Sequence, residues 1–310
     1  MEIRLLRYVM AVAEYQSFTR AARHLHLAQP SLSQQIARLE SQLGMMLFVR
    51  GSGPITLTAE GRHFVRRAEQ IVQMHDDFMR ELSERRSGMG TELSVGAPAI
   101  TGGHLLPPLL SDYGVRFPHV HVRLVEETPE TVERLTVRGL IDLAVLALPL
   151  ETDQLVTRHL LTEPLMAVLP DQVYPWMDSA LQARYAFDQE SPARLCPLSI
   201  LEAAPFILLK SGYGFRQTVL SLCAEAGFQP RMAYETSNID VAQSLVAYGH
   251  GVTLVPAMVR RTGSARLVYY HLVGDPTRTL VFAYRNDRYL SMTATAFMDL
   301  ATSHIMFAGD

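Results

Sequence analysis

The stretch Ser17–Phe48, SFTRAARHLHLAQPSLSQQIARLESQLGMMLF, decides the fold of the amino-terminal part of the chain. Its apolar residues recur at helical spacing in two runs, which are Phe18, Ala21, Ala22 and Leu25, then Leu32, Ile36, Leu39 and Leu43. Ser17 suits the cap of the first helix, and Pro30 suits the first turn of the second, where a missing N–H costs nothing. Gly44 offers the second helix a stop. The stretch therefore predicts a helix-turn-helix.

The polar face of the second predicted helix carries groups that hydrogen-bond to nucleic acid. The candidate DNA-binding residues there are Gln29, Pro30, Ser31, Ser33, Gln34 and Arg38. Gln34 can pair bidentately with adenine, and the free N–H groups at the helix start can hold a phosphate beside Gln29 and Ser31. An ordinary helical hairpin with solvated polar residues is the alternative, and the two helices alone leave both interpretations open.

The segment Leu47–Gly61, LFVRGSGPITLTAEG, follows the second helix. Two short apolar stretches, 47–50 and 55–58, flank a glycine-containing turn, which predicts a β-hairpin wing. Arg50 at its tip is a further DNA-binding candidate, because arginine can enter the minor groove or contact phosphates.

The amino-terminal sixty residues resemble the winged helix-turn-helix of LysR-type transcriptional regulators. The resemblance is carried by SFTRAA at 17–22, QPSLSQQIARLESQLG at 29–44, LF at 47–48 and LTAEG at 57–61. It implies a bacterial regulator that binds double-stranded promoter DNA, with residues 29–38 in the major groove. It also implies a small-molecule-sensing domain, assembly into dimers and tetramers, activation through RNA polymerase and autoregulation.

Charge is unevenly shared along the chain. Residues 1–67 hold nine arginines against four acidic residues, so the formal net charge of −3 leaves about −8 on the remainder. A basic head on an acidic body fits selective binding of phosphates. The length of 310 residues suits a small domain followed by a larger one of two lobes.

Residues 59–86 predict a long helix. Its apolar residues follow a heptad seam of Phe64, Ala68, Ile71, His75, Phe78 and Leu82. Such a stripe pairs with the same helix of a second copy, which would place two reading helices on one operator. A helix packed on its own domain is the alternative. Residues 87–90 end the helix and form a linker.

From Thr91 onward, strand-like runs alternate with helical stretches, which predicts an α/β fold with a mostly parallel sheet. The LysR resemblance adds a two-lobed effector domain of periplasmic-binding-protein type, with the ligand between the lobes. The predicted domains are a winged helix-turn-helix at 1–58, a linker and dimerisation helix at 59–90 and an effector-binding domain at 91–310. Within the last, the first lobe takes residues 91–164 and 268–310, and the second takes 165–267.

Ligands of open parallel sheets lie at the carboxyl ends of strands, beside helix starts that favour an anion. The residues at such places are Ala99, Ile100, Thr101, Thr128, Lys210, Ser211 and Asn238. They match the effector-pocket positions of the LysR family by place in the pattern, and they predict an organic anion, such as a carboxylate, as effector. Ordinary helix caps are the alternative for Thr101, Thr128 and Asn238.

No motif predicts a catalytic residue, a metal ligand or a cofactor. The chain has no Gly-x-Ser-x-Gly, P-loop or His-Glu-x-x-His motif, and its 11 histidines are scattered. Cys196 and Cys223 lack metal-ligand spacing; ordinary half-buried thiols are expected, and a redox pair is the alternative. An enzyme is therefore not predicted. A solute-binding transport protein would need export and would leave the basic head unexplained.

The chain shows neither a secretory signal nor an apolar run of about 18 residues, which predicts a cytoplasmic protein that does not enter the membrane. The connector at 171–200, which contains Trp176, is longer than the LysR pattern leads one to expect. It predicts either an added helix and loop beside the pocket, an oligomer interface, or filler on the second lobe.

Overall fold

The computed structural model describes residues 2–49, 51, 54–87, 90–188, 195–261, 263 and 266–308. The chain forms two compact units, Met1–Gly88 and Met89–Asp310. The first unit contains the helices α1 (Ile3–Tyr15), α2 (Phe18–His24), α3 (Gln29–Leu43) and α4 (Ala59–Ser87), with the short strands β1 (Phe48–Val49) and β2 (Thr56–Leu57). The two strands pair in antiparallel fashion as the predicted wing.

The helix-turn-helix begins and ends where the sequence places its signals. The Ser17 hydroxyl accepts the N–H of Arg20 at 3.3 Å and so caps α2. Helix α3 begins after Ala28, which offers no side-chain cap, with Pro30 in its first turn. It ends at Gly44, whose φ of +66° lies in the left-handed region that favours glycine. Leu32 and Ile36 are fully buried in the core of this unit.

The wing is attached to the helices by a few buried hydrogen bonds. The carboxylate of Glu40 accepts the N–H groups of Leu47 at 2.8 Å and Phe48 at 3.2 Å. The Thr58 hydroxyl accepts the N–H of Gly61 at 2.9 Å, which caps α4. A Cβ atom on Gly61 would lie 2.0 Å from the carbonyl oxygen of Leu47, so the close approach of α4 to this loop requires glycine.

Helix α4 has 29 residues and two apolar sides. On one side Ala68 and Val72 are buried against Leu6 of α1. On another, Ile71 is 44% and Phe78 is 56% exposed. Part of the predicted heptad seam is therefore covered by its own unit, and part is exposed in the single chain.

The second unit is built on a mixed sheet. Its strands are β3 (Glu92–Ala97), β4 (His121–Glu126), β5 (Leu143–Ala147), β6 (Leu155–Pro170), β7 (Leu195–Cys196), β8 (Pro205–Leu209), β9 (Arg231–Thr236), β10 (Thr253–Pro256), β11 (Leu267–Leu272) and β12 (Thr277–Arg285). Its helices are α5 (Ala99–His104), α6 (Leu106–Arg116), α7 (Pro129–Val137), α8 (Ser179–Asp188), α9 (Gly214–Glu225), α10 (Ile239–Ala247) and α11 (Met292–Ala308).

Strand β6 runs through both lobes. Its residues 155–164 pair with β12, beside β5, β3 and β4 of the first lobe. Its residues 165–170 pair with β10 and β11 of the second lobe, where β8 and β9 also lie. The chain returns to the first lobe between β11 and β12, and Leu165 N–H donates to Pro276 O at 2.8 Å where the two crossings meet.

Two details differ from the sequence-based expectation. The pairs β3–β4, β3–β5, β8–β9 and β7–β11 are parallel, but β12 runs antiparallel to β5 and β6, and β10 and β11 run antiparallel to β6. The expected lobe boundary between residues 267 and 268 falls inside β11. Since β11 pairs with β6 and β7, residues 268–272 belong to the second lobe and the return lies at 273–276.

Candidate nucleic-acid interface and effector cleft

Helix α3 presents its predicted reading face outward. Gln29, Pro30, Gln34 and Arg38 are exposed, and Ser31 and Ser33 are half-buried. On the opposite side of the helix, Leu32, Ile36 and Leu39 are at most 2% exposed. The helix is thus held by its apolar face while its hydrogen-bonding groups stay accessible, which is the arrangement that a groove-reading helix needs.

Two arginines of α2, the helix that precedes α3, are also exposed; they are Arg20 and Arg23. The sequence analysis did not single them out, although arginines on the helix that precedes a reading helix are a recognisable phosphate-binding signal. Arg50, the candidate at the wing tip, lies outside the described residues.

A cleft of about 830 Å³ lies between the two lobes of the second unit. The first lobe contributes the start of α5, the start of α7 and the loop after β5; the second contributes the end of β8 and one face of α9. Ile100, Leu209 and Phe215 supply apolar walls. Volume and lining are those of a small-molecule site.

The predicted effector residues divide into three groups. Ala99, Ile100 and Thr101 line the cleft. Thr128 and Asn238 act as helix caps, Thr128 accepting the N–H of Thr131 at 3.3 Å and Asn238 that of Asp240 at 2.7 Å. Lys210 and Ser211 are exposed and are not part of the cleft lining.

Four carboxylates line the cleft, and the sequence analysis missed all of them. They are Glu127, Glu130, Glu133 and Glu151. Glu133 is only 7% exposed, and one of its oxygens accepts the N–H of Thr152 at 2.6 Å. Glu130 lies 4.0 Å from Arg134. A glutamate next to buried Val132 on α7 was the available signal, but sequence alone does not show which face of α7 meets the cleft.

Arg278 is the one arginine that the described part of the chain contributes to the lining, and it is already paired. Its side chain is 9% exposed and lies 2.7 Å from the carboxylate of Glu163, which is 7% exposed. Glu163 also accepts the N–H of Met258 at 2.7 Å, and the Arg278 guanidinium lies 5.8 Å from the centre of the Phe215 ring. Burial lowers the pKa of Arg278 from its ordinary value, and the adjacent Glu163 opposes that shift.

Helix α5 connects the lobes on the cleft side. Ile100 packs against the core of the second lobe. His104 Nε2, at the end of the same helix, lies 3.5 Å from the carboxylate of Asp240 on α10. A ligand beside Thr101 would therefore touch an element that is in contact with both lobes.

Both cysteines are buried and unbridged. Burial raises the pKa of the Cys223 thiol to about 11. Cys196 lies in β7 and is 3% exposed. Trp176, in the connector at 171–200, contacts the second lobe, where its indole N–H donates to Gly249 O at 2.7 Å.

Two features are absent from the described residues. No helix among them is both long and apolar enough to cross a membrane. No group of three or more His, Cys, Asp or Glu side chains in that part of the chain is arranged to hold a metal ion.

The geometry can be compared with known families. Residues 3–62 match the profile described as "Bacterial regulatory helix-turn-helix protein, lysR family". Residues 86–305 match the profile described as "LysR substrate binding domain". Together these two matches cover both units and the cleft.

Individual proteins similar to the chain carry related names. The "Uncharacterized HTH-type transcriptional regulator YcgK" of Bacillus subtilis is 48% identical over 304 residues, which is 97% of this chain and 94% of that protein. A "Hydrogen peroxide-inducible genes activator" of Pectobacterium carotovorum is 30% identical and covers 92% of this chain and 90% of its own. The solved full-length OxyR of Pseudomonas aeruginosa superposes with a TM-score of 0.72 at 25% identity, covering 97% of this chain and 98% of that one.

Proposed function

The chain belongs to the LysR family of bacterial transcriptional regulators, and on that premise we propose that α3 reads promoter DNA from the major groove. The observation that carries this proposal is the exposed polar face of α3 on a fully buried apolar back. The contact residues are Gln29, Pro30, Ser31, Ser33, Gln34, Arg38 and, from the wing, Arg50.

We propose one role for each of three consecutive segments of the chain. Residues 1–58 bind DNA, residues 59–90 link and dimerise, and residues 91–310 bind the effector. The exposed apolar part of α4, with Ile71 and Phe78, supports pairing with a second copy, because removing apolar side chains from water is favourable. Two dimers would form a tetramer that contacts RNA polymerase and acts as an activator.

We further propose that a small molecule in the interlobe cleft switches the regulator. Ala99, Ile100 and Thr101 line that cleft, and α5 contacts both lobes, so a ligand there can favour one lobe arrangement over another. The switch requires the ligand to bind the two arrangements with different affinity. The helix starts favour an organic anion, whereas the four glutamates of the lining do not.

The effector is proposed to bind without covalent chemistry. A similar protein is named for hydrogen peroxide induction, which would require a reactive thiolate in this chain. Both thiols are buried, and a pKa of about 11 leaves Cys223 almost entirely protonated at neutral pH. These properties support a ligand-binding switch over a thiol sensor.

Gel-shift titration tests the DNA-binding proposal. We expect the full-length protein to shift the DNA upstream of its own gene at a concentration at least tenfold below that needed for random DNA of equal length. A triple variant, Gln34→Ala with Ser33→Ala and Arg38→Ala, should abolish that preference. Equal affinity of the unaltered protein for both DNAs would refute the proposal.

A further inference from the structure

The effector cleft carries an excess of negative charge. Among the described residues, Glu127, Glu130, Glu133 and Glu151 line it, and Arg278 is the single cation of the lining. Arg278 is neutralised by Glu163 at 2.7 Å, which leaves the four carboxylates without a counter-charge inside the lining. In the part of the chain that the structure describes, Glu127, Glu133 and Glu151 have no cationic group within 4.0 Å, and Glu130 has only Arg134 at that limit.

Two buried polar side chains on the cleft wall have unused hydrogen-bonding capacity. Thr101 is 2% exposed, and its hydroxyl makes no hydrogen bond within the described residues. Glu133 is 7% exposed and uses one oxygen for Thr152, while its second oxygen accepts no hydrogen bond there. Because both residues line the cleft and are more than nine-tenths buried, a ligand that donates hydrogen bonds can use these acceptors.

Helix dipoles do not offset the negative charge of the cleft lining. The starts of α5, α7 and α9 reach the cleft at Ala99, Pro129 and Gly214. Each helix start contributes roughly half a positive charge, far less than four carboxylates carry. In α7 the first turn already holds Glu130, and Thr128 already accepts the N–H of Thr131. An anion entering the cleft would lose its hydration without meeting an unpaired cation.

From this charge balance and these open acceptors we propose that the effector is an organic cation, an apolar body bearing a protonated amine. The ammonium donates to the free oxygen of Glu133 and to the Thr101 hydroxyl. The body lies against Ile100, Leu209 and Phe215. This inference rests on the proposed role of the cleft as the effector site, and it replaces the organic anion expected from the helix starts.

Matched probes that differ only in charge test the proposal. Each set has one apolar skeleton (phenylethyl, cyclohexylmethyl or hexyl) and ends in an ammonium, an alcohol or a carboxylate. Calorimetry and thermal shift on the full-length protein at pH 7 should show at least one ammonium binding roughly tenfold more tightly than its alcohol and carboxylate counterparts. Binding led by a carboxylate, equal binding across charge states, or no binding by any ammonium would overturn the proposal.

Three variants locate the bound ammonium. Glu133→Gln keeps an acceptor for Thr152 N–H but removes the charge, and it should reduce ammonium affinity about tenfold. Thr101→Val should weaken it less. Glu225→Gln, an exposed glutamate at the end of α9 and outside the cleft lining, is the matched control and should leave the affinity unchanged. Equal losses in Glu133→Gln and Glu225→Gln would place the cation elsewhere and defeat the inference.

Operator binding is measured on the same samples by gel shift. If the protein binds its operator and a carboxylate rather than an ammonium occupies the cleft, the cation inference fails and the proposed function stands. If the protein ignores its operator, the proposed function fails whatever the charge of the bound probe.

Discussion

Gln34 on α3 is proposed to read a base. It is exposed, and its amide can donate to and accept from an adenine edge. We expect Gln34→Ala to weaken binding to the specific operator by about 1–3 kcal/mol, with little change on random DNA. Gel-shift titrations on both DNAs measure the difference. An equal loss on both would assign Gln34 to the phosphate backbone.

Gly61 allows α4 to lie against the loop before the wing, because glycine has no Cβ atom. Its α-carbon lies so close to the loop before the wing that a Cβ would sit 2.0 Å from Leu47 O. Gly61→Ala should therefore lower the free energy of unfolding of this unit by about 2 kcal/mol or more, by overpacking. Urea denaturation followed by circular dichroism measures it. Gly51→Ala, where a Cβ would meet nothing within 4 Å, is the control.

Cys223 allows a prediction about oxidants. With a pKa of about 11, roughly one thiol in ten thousand is ionised at pH 7, and the reactive fraction grows only as the pH approaches that value. Millimolar peroxide at pH 7 should leave operator binding unchanged in the native protein and in Cys223→Ser alike. A peroxide response that Cys223→Ser abolishes would contradict the proposed ligand-based switch.

At the scale of elements, local signals decided which parts were predictable. Helices α2 and α3 and the wing follow from caps, prolines and glycines that act within a few residues. The continuity of β6 could not be predicted from such signals, because Pro164 in its middle is typical of a strand end. In the cleft, the pattern of helix starts predicted Thr101. The Arg278–Glu163 pair could not be predicted in this way, because its residues are 115 positions apart and no local pattern indicates their contact.

The exposed stripe of α4 carries the dimerisation proposal. Changing Ile71 and Phe78 together to glutamate would place charges along a packed seam and should convert dimers to monomers in multi-angle light scattering. A double variant at exposed positions off the stripe, Arg66→Glu with Gln70→Glu, is expected to remain dimeric. A persistent dimer in the seam variant would assign dimerisation to another surface.

At the scale of the whole effector domain, the buried Arg278–Glu163 pair of the first lobe is in contact with the second lobe, because Glu163 also accepts the N–H of Met258. Arg278→Met would leave the buried Glu163 carboxylate without its cation and should lower the free energy of unfolding by about 3–5 kcal/mol. Adding Glu163→Gln removes that charge and should restore at least half of the loss. Urea denaturation of the full-length protein measures both.

The exposed pair of Arg158 and Asp299, at 2.9 Å, is the matched control for that prediction. Arg158→Met should change the free energy of unfolding by no more than about 1 kcal/mol, because solvent screens an exposed pair. If Arg158→Met and Arg278→Met were equally harmful, burial would not be the cause of the effect.

The shared strand β6 also limits how the effector domain can deform. Both passages between the lobes contain a proline, Pro164 in β6 and Pro276 before β12, and each proline fixes one backbone torsion. Adjacent to them, Leu165 N–H is bonded to Pro276 O. The two crossings therefore have fewer free backbone torsions than crossings without proline would have. In the proposed switch, a ligand that binds one lobe arrangement more tightly than the other acts through these two crossings.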